Sequence, residues 1–485
     1  MKVSPMSKNK LSPWLAVSAA ALLAGCSMIP SYERPAAPVA GSFPTYGSAA
    51  QAADATPAAS VAWQDFFSDA KLKRLIEQSL QNNRDLRVAV LNIEKARAQY
   101  QIRRADQYPS VSAVMNGSRA PDTKSLYTAG LAVTAYELDF FGRVSSLKEA
   151  ALNQYLATEE GRKTAQISLI SAVANTYLSI LADEELLELT RQTLVTREES
   201  MKLSKLRLDN GVTSELDYRQ AESLTEAARV AYAQQQRQRA LDENALVLLV
   251  GQPVGAELPT ASSQFVPLAQ AQPMRDVPAG LPSDLLVNRP DIRQAEQLLL
   301  ASNANIGAAR AAFFPRISLT VGAGSASSHL SDLFKSGSWG WTLAPQLALP
   351  IFDAGRNQAG LDSSKADRDI AIAQYEKAIQ TGFREVADAL ATRATLVDQL
   401  ASQERQASAE AARFKLSDLR YKNGVASYLD LLDAQRSLFG AQQAVVQTRL
   451  AQLQSQVTLY KVLGGGWKES VALAENQQTQ TPLKP

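Results

Sequence analysis

The 485-residue chain carries 50 Lys and Arg against 48 Asp and Glu, a net charge of +2, so no global field favours nucleic acid or an acidic partner. One histidine, His329, and one cysteine, Cys26, leave almost nothing for metal ligation or nucleophilic chemistry, and exclude an intrachain disulfide. The length suits two or three ordinary domains or one elongated body.

Lys2, Lys8 and Lys10 precede an apolar run, residues 14–24, that is too short to span a bilayer as a stable helix. The run ends in Leu23-Ala24-Gly25-Cys26, which resembles the lipobox of bacterial lipoprotein signal peptides. Residues 1–25 then read as a removed signal peptide, and Cys26 as the lipidated first residue. An ordinary signal peptide with a chance cysteine is the alternative. Ser27, rather than aspartate, follows the cysteine, which in such lipoproteins looks like outer-membrane sorting. Residues 26–62, rich in Pro, Ala and Ser, read as an extended segment behind the lipid.

Residues 69–107 have helical periodicity, and Pro109 stops it. Period-2 alternation then predicts strands at 110–118 and 126–138, the second with Tyr127, Ala129, Leu131, Val133 and Ala135 on one face. From 143 to 209 no proline intervenes, which predicts a helix on the order of 100 Å long. Val173, Ile180, Leu187, Leu194, Met201 and Leu208 recur along it every seven residues, a period that implies left-handed coiling against a partner. Residues 214–250 supply that partner.

The second half repeats this order. A helix near 283–312 precedes Pro315, strands follow at 316–324 and 339–352, and helices at 358–422 and 427–463 close the series. The first repeat spans 63–265 and the second 266–467; residues 468–485 form a polar tail. Duplication is explicit in residues 203–221 and 416–434, where eleven of 19 positions are identical at one offset. It suggests one structural unit laid twice around an axis, a tube rather than a catalytic cleft.

Hairpin tips fall at 209–214 and 422–427. Asn210-Gly211 and Asn423-Gly424 tolerate positive φ and stop one helix. Ser214 with Asp217, and Ser427 with Asp430, have capping-box spacing and start the next. Asp430 and Asp433 lie three apart and share a helix face. The strands have roughly the 9–11 residues a tilted transmembrane strand needs, and aromatic residues cluster near their ends. Four strands cannot close a barrel, so a lipid-facing sheet requires an oligomer.

The chain resembles the outer membrane factors, the TolC/OprM-type exit ducts of tripartite efflux pumps, and their OprM-like lipoprotein branch in particular. The words that carry this are Asn82-Asn83-Arg84-Asp85-Leu86-Arg87, Gly280-Leu281-Pro282-Ser283-Asp284-Leu285, Asn305-Ile306-Gly307-Ala308-Ala309-Arg310, Leu432-Asp433-Ala434-Gln435-Arg436-Ser437 and Leu463-Gly464-Gly465-Gly466-Trp467. The resemblance implies an α+β membrane protein. Three chains of four strands make a 12-stranded outer-membrane barrel, continuous with a periplasmic α-barrel of coiled coils. It implies a homotrimer in outer-membrane lipid of a Gram-negative bacterium, working with a periplasmic adaptor and an inner-membrane RND transporter. No cofactor, metal or nucleic acid is expected.

Matched residue by residue, Leu429, Asp430, Asp433 and Arg436 fall on positions that constrict or latch the periplasmic pore. Tyr421 and Asp217 fall on positions linking neighbouring coils in the closed state. Asn210, Gly211, Asn423 and Gly424 fall on tips that meet the adaptor. Ala426 stands where some relatives carry a latch arginine, so the latch falls to Arg436. Threefold symmetry would gather six carboxylates from Asp430 and Asp433 into a cation-attracting ring, while Asp430 also reads as a helix cap. A type I protein-secretion duct would share this architecture. A lipid-anchored cell-wall enzyme is disfavoured by the near absence of His and Cys.

Overall fold

The computed structural model describes residues 27–44, 57–119, 121, 125–254, 267–270, 274–278, 280 and 282–468. Cys26, and with it the lipidation site, lies outside them. Leaving single turns aside, the elements are α1 (Ala70–Asn82), α2 (Arg84–Ala105), β1 (Val111–Ser118), β2 (Leu126–Leu138), α3 (Arg143–Asp209), α4 (Glu215–Val250), α5 (Pro282–Asn288), α6 (Pro290–Ala311), β3 (Arg316–Ser327), β4 (Trp339–Ala348), α7 (Arg356–Lys422) and α8 (Tyr428–Val462). They form two compact units: residues 27–37, 92–159 and 294–377 in one, and residues 38–91, 160–293 and 378–468 in the other.

The first unit holds an antiparallel sheet in the order β1-β2-β3-β4. Residues opposite one another in register share a face. Three such rows are Met115/Ala129/Ser325/Trp339, Ala113/Leu131/Ala323/Trp341 and Val111/Val133/Val321/Leu343. Together they make a mainly apolar surface. The opposite face is small and polar, with rows such as Ser112/Ala132/Gly322/Thr342. Gly130, Gly324 and Gly340 form one row on that face, and a Cβ on Gly324 would lie 2.5 Å from the Gly130 Cα.

Two strand expectations are corrected. The alternation in β2 does not run through Ala135: a bulge between Val133 and Tyr136 sets two residues against one on β3. Ala135 takes φ 52°, and its amide donates to the Thr320 Oγ1 at 3.1 Å. The bulge adds a residue, so the side-chain phase resets at Tyr136. The last strand ends at Ala348 rather than 352, just ahead of Pro350, which has no amide to continue a ladder.

The N-terminal segment of this unit lies along α6. Arg34 forks onto Glu296 at 2.7 and 2.8 Å, and the Tyr32 hydroxyl donates to the same carboxylate at 3.0 Å. The Asn303 amide donates to the Pro30 carbonyl, and Arg310 to the Met28 carbonyl. Gly307 lets the strap approach, since a Cβ there would sit 2.7 Å from Ile29.

In the second unit both expected single helices are broken. Asn83 separates α1 from α2 with ψ 131°, and its Oδ1 accepts the Leu86 amide, a cap that restarts the helix. Arg289, before Pro290, separates α5 from α6. The breaks are equivalent. Asn83 donates to the Leu249 carbonyl at 2.9 Å, and Arg289 to the Val462 carbonyl at 3.0 Å. The glycines ending the returning helices, Gly251 (φ 78°) and Gly464 (φ 80°), abut the Asn82 and Asn288 carbonyls, where a Cβ would come within 2.5 and 2.8 Å.

Along α3 the heptad stripe is buried at Val173 and Ile180 and half-buried from Leu187 to Leu208. By length and composition α3 could cross a membrane, but 61% of its apolar window is buried against the protein.

Gly324→Val is expected to force β2 and β3 apart at a cost of about 1–3 kcal/mol. Membrane fractionation should show less inserted protein than wild type, whereas the same substitution at open Gly360 should leave insertion unchanged.

Candidate functional site

The two helical turns are closed by the same backbone and asparagine bonds. At the first, Gly211 takes φ 72°, the Val212 amide returns to the Arg207 carbonyl at 2.8 Å, and the Asn210 side chain caps the Leu206 carbonyl. At the second, Gly424 takes φ 72°, the Val425 amide returns to the Arg420 carbonyl at 2.9 Å, and Asn423 caps the Leu419 carbonyl. These bonds satisfy carbonyls that a helix end otherwise leaves free.

Each following helix opens with a full capping box. The Asp217 carboxylate accepts from the Ser214 and Thr213 hydroxyls at 2.9 and 2.8 Å, and these bonds, the Thr213 one first, hold its pKa below the usual carboxylate range. The Asp430 carboxylate accepts from the Ser427 hydroxyl at 2.9 Å and the Ser427 amide at 3.2 Å. Asp430 is therefore engaged as a cap. Both tips also leave apolar side chains in solvent: Val212 and Leu216 on one, Val425 and Leu429 on the other, each at least 60% exposed.

Asp433 belongs to a different arrangement from the carboxylate ring expected for it. Arg413 of α7 donates to its Oδ2 at 2.5 Å, and Arg436 to its Oδ1 at 2.6 Å. Those two guanidiniums, Arg413 first, hold the carboxyl below its ordinary range. The charge is locally neutralised within one chain.

Tyr421 pairs with Arg207 of α3. The guanidinium donates to the hydroxyl at 2.6 Å and stands 4.9 Å from the ring centroid. Tyr421 also tilts against Tyr428 at 5.2 Å, whose buried hydroxyl is pushed up to about 12 by burial and by nearby Tyr421 and Asp217. Tyr428, Leu431 and Leu432 of α8 pack with Ala221 of α4, flanked by Met201, Leu224 and Phe414. An apolar knot and the Arg207–Tyr421 contact thus hold the second hairpin against the first.

Arg207, Arg413 and Tyr428 are functional candidates that local patterns pass over. The Arg413–Asp433 pair has one readable signal: both residues stand ten positions from Asn423, level across the hairpin. Nothing local marks Arg207, whose repeat counterpart Arg420 likewise follows a leucine three positions ahead of an asparagine. Among the described residues no group of His, Cys, Asp and Glu could hold a metal ion.

The profile of the outer membrane efflux protein family matches residues 75–252 and 281–465. The chain belongs to this family. The antibiotic efflux pump outer membrane protein ArpC of Pseudomonas putida is 49% identical over 493 aligned residues, covering 98% of this chain and 100% of ArpC. The toluene efflux pump outer membrane protein TtgC, also of Pseudomonas putida, shows the same identity and coverage. Among solved structures, the open state of the MtrE outer membrane channel of Neisseria gonorrhoeae superposes with TM-score 0.82 at 41% identity, covering 91% of this chain and 99% of that one. The chain is accordingly an outer-membrane efflux component with a periplasmic extension, a transport duct and not an enzyme.

Ser427→Ala removes an N-cap acceptor and should cost about 1 kcal/mol, read as faster amide exchange over residues 428–431. The lowered Asp433 carboxyl contributes in full above pH about 4 and is lost as pH falls through its depressed folded value. Amide protection at the Arg413–Asp433 level, corrected for the intrinsic pH dependence of exchange, should therefore be flat from pH 7 to about 4 and fall below; a fall already near neutrality would contradict the ion pair.

Proposed function

We propose that the chain assembles as a homotrimer into the exit duct of an RND-type tripartite pump, with a closable constriction at the helical tips. The observation that carries this is the sheet: one apolar face, one small and polar face, and edge strands β1 and β4 each paired on one side only. A membrane accepts such a sheet only when every edge is closed by another strand. Three copies supply twelve strands, an even number within the known range. In this reading the first repeat (63–265) and the second (266–467) each contribute two strands to the barrel and one helical hairpin to the tube. The apolar face meets lipid, and the face with Gly322 and Thr342 lines water.

The tip residues take their roles from their contacts. Asp433 with Arg413 and Arg436, and Tyr421 with Arg207, are the links that hold the gate, while Leu429 narrows it. Asp217 and Asp430 cap the helices that move. Asn210, Gly211, Asn423 and Gly424, beside exposed Val212 and Val425, form the surface offered to a periplasmic adaptor. Cys26 is read as the lipid anchor. In support, the strap beside it reaches Arg310, near the end of α6 that leads into β3. Names of relatives point to small apolar or amphiphilic cargo such as toluene and antibiotics. They are efflux components, so the protein-secretion alternative is not carried forward.

Single-channel conductance in planar bilayers tests the gate. Asp433→Ala and Arg207→Ala should each raise conductance, and the pair more than either alone. Conductance unchanged in all three removes the gate from these residues; no conductance from a folded trimer removes the duct.

A further inference from the structure

Where α3 packs on α4 in the first hairpin, acids outnumber bases. The Arg239 guanidinium binds both Glu184 and Glu243, so it already serves two carboxylates before Asp183 is counted. Asp183 of α3 is 6% exposed. Its Oδ1 accepts from the Gln235 side chain at 2.9 Å, and its Oδ2 has no donor. The Asp242 carboxyl of α4, which accepts from Gln238 at 3.3 Å, stands within hydrogen-bonding reach of it. Two carboxylates in contact at a buried place repel, whereas one proton between them turns the contact into a hydrogen bond.

Other packed elements bring no relief. The next acid on α3, Glu185, accepts the Leu268 amide. Around Ala182 and Leu186 stand Leu268 and, from α8, Val446, Leu450 and Leu453, all apolar. Arg449 of α8 is engaged with Glu404 of α7. The fold itself does not require this chemistry. At the offset that relates the two tips, Asp183, Glu184, Arg239, Asp242 and Glu243 fall on Leu396, Val397, Gln452, Ser455 and Gln456. Leu396 and Ser455 are buried, so the second hairpin fills the same place without a charge.

We propose that Asp183 and Asp242 share one proton and form a pH-sensitive catch between α3 and α4. Burial first, and then contact with Asp242, push the Asp183 carboxyl up to about 7. Once the helices part and the pair is hydrated, its carboxyls return to the ordinary range near about 4. The closed hairpin therefore holds a proton that the opened one releases between about pH 4 and about pH 7. Opening grows easier as pH rises through that window, by at most about tenfold per pH unit, and levels off above it. A metal ion fits less well, since among the described residues no group of three His, Cys, Asp or Glu could hold one. Roughly 40 Å of paired helix separates the catch from the first tip. Its release frees that length to move, a consequence that rests on the gate reading, whereas the shared proton does not.

Infrared titration of the full-length purified protein reads the proton directly, through the carbonyl stretch of an un-ionised carboxyl. Wild type should keep such a band above about pH 5 and lose it near about pH 7. Asp183→Asn should lack the band, and Asp242→Asn should move its midpoint down. No band in wild type, or an undiminished one in Asp183→Asn, overturns the shared proton; an unmoved midpoint in Asp242→Asn overturns the pairing. Asp183→Leu with Asp242→Ser copies the second hairpin and guards against misfolding of the single variants. Amide protection over residues 180–186 and 239–245, corrected for intrinsic exchange, should fall from about pH 5 to 7 in wild type and stay flat in this double variant. The same fall in both overturns the catch. If band and protection behave as expected but single-channel conductance depends on pH equally in both, the catch stands and its link to the gate falls.

Discussion

A strand in hydrocarbon cannot leave its backbone N–H and C=O groups unpaired, because no water is there to receive them. That requirement governs this chain more than any single contact. Four strands can pair internally at three seams only, so the outward groups of β1 and β4 must find partners on other copies. In the trimer proposed above, whatever the helices carry is then presented three times around an axis. The glycine row across β2, β3 and β4 fits the same demand, since backbones meeting this closely allow the small, polar face to turn sharply inward.

Duplication supplies the scaffold economically in sequence terms. Asn83 and Arg289 differ in size and charge, yet both interrupt a helix and both donate to the carbonyl of a returning helix. The offset that relates the two tips also carries Gly251 onto Gly464, and each abuts an asparagine carbonyl. What the halves do not share is equally informative. Tyr421, Asp433 and Arg413 have Leu208, Gln220 and Ser200 as repeat counterparts. Backbone geometry is repeated, and the particular links made by Tyr421 and Asp433 are not.

Those links are weak, which suits a device that opens. The Arg413–Asp433 and Arg436–Asp433 side chains are between 38% and 72% exposed, and solvent screening leaves such pairs little net stabilisation. The apolar knot around Tyr428 holds more but is small. Elsewhere in the same unit the contacts are of another order: Phe66 and Tyr460 stack at 3.9 Å between centroids, both buried. Stability is concentrated away from the tips, so the tips can rearrange while the fold persists.

Sequence by itself determined what is local. Proline-free heptads specify α3 and its partner, Asn-Gly and Ser-x-x-Asp specify the tips, and period-2 runs specify the strands, because each depends on backbone preferences within a few residues. The gate positions are named through resemblance alone, whereas Asp430's cap was legible through spacing. Tertiary structure alone decided the rest. The helix break at Asn83 is held by a carbonyl 166 positions away, and the bulge at Ala135 by pairing with β3. Asp433 was expected to face like charges, and its partner turned out to be Arg413 on the opposite helix of the hairpin. Arg207 and Asp183 are ordinary helical residues in sequence, and only packing reveals that one meets a tyrosine and the other a second carboxyl. Helix and turn propensities act through neighbours along the chain, whereas charge pairing and burial depend on neighbours in space.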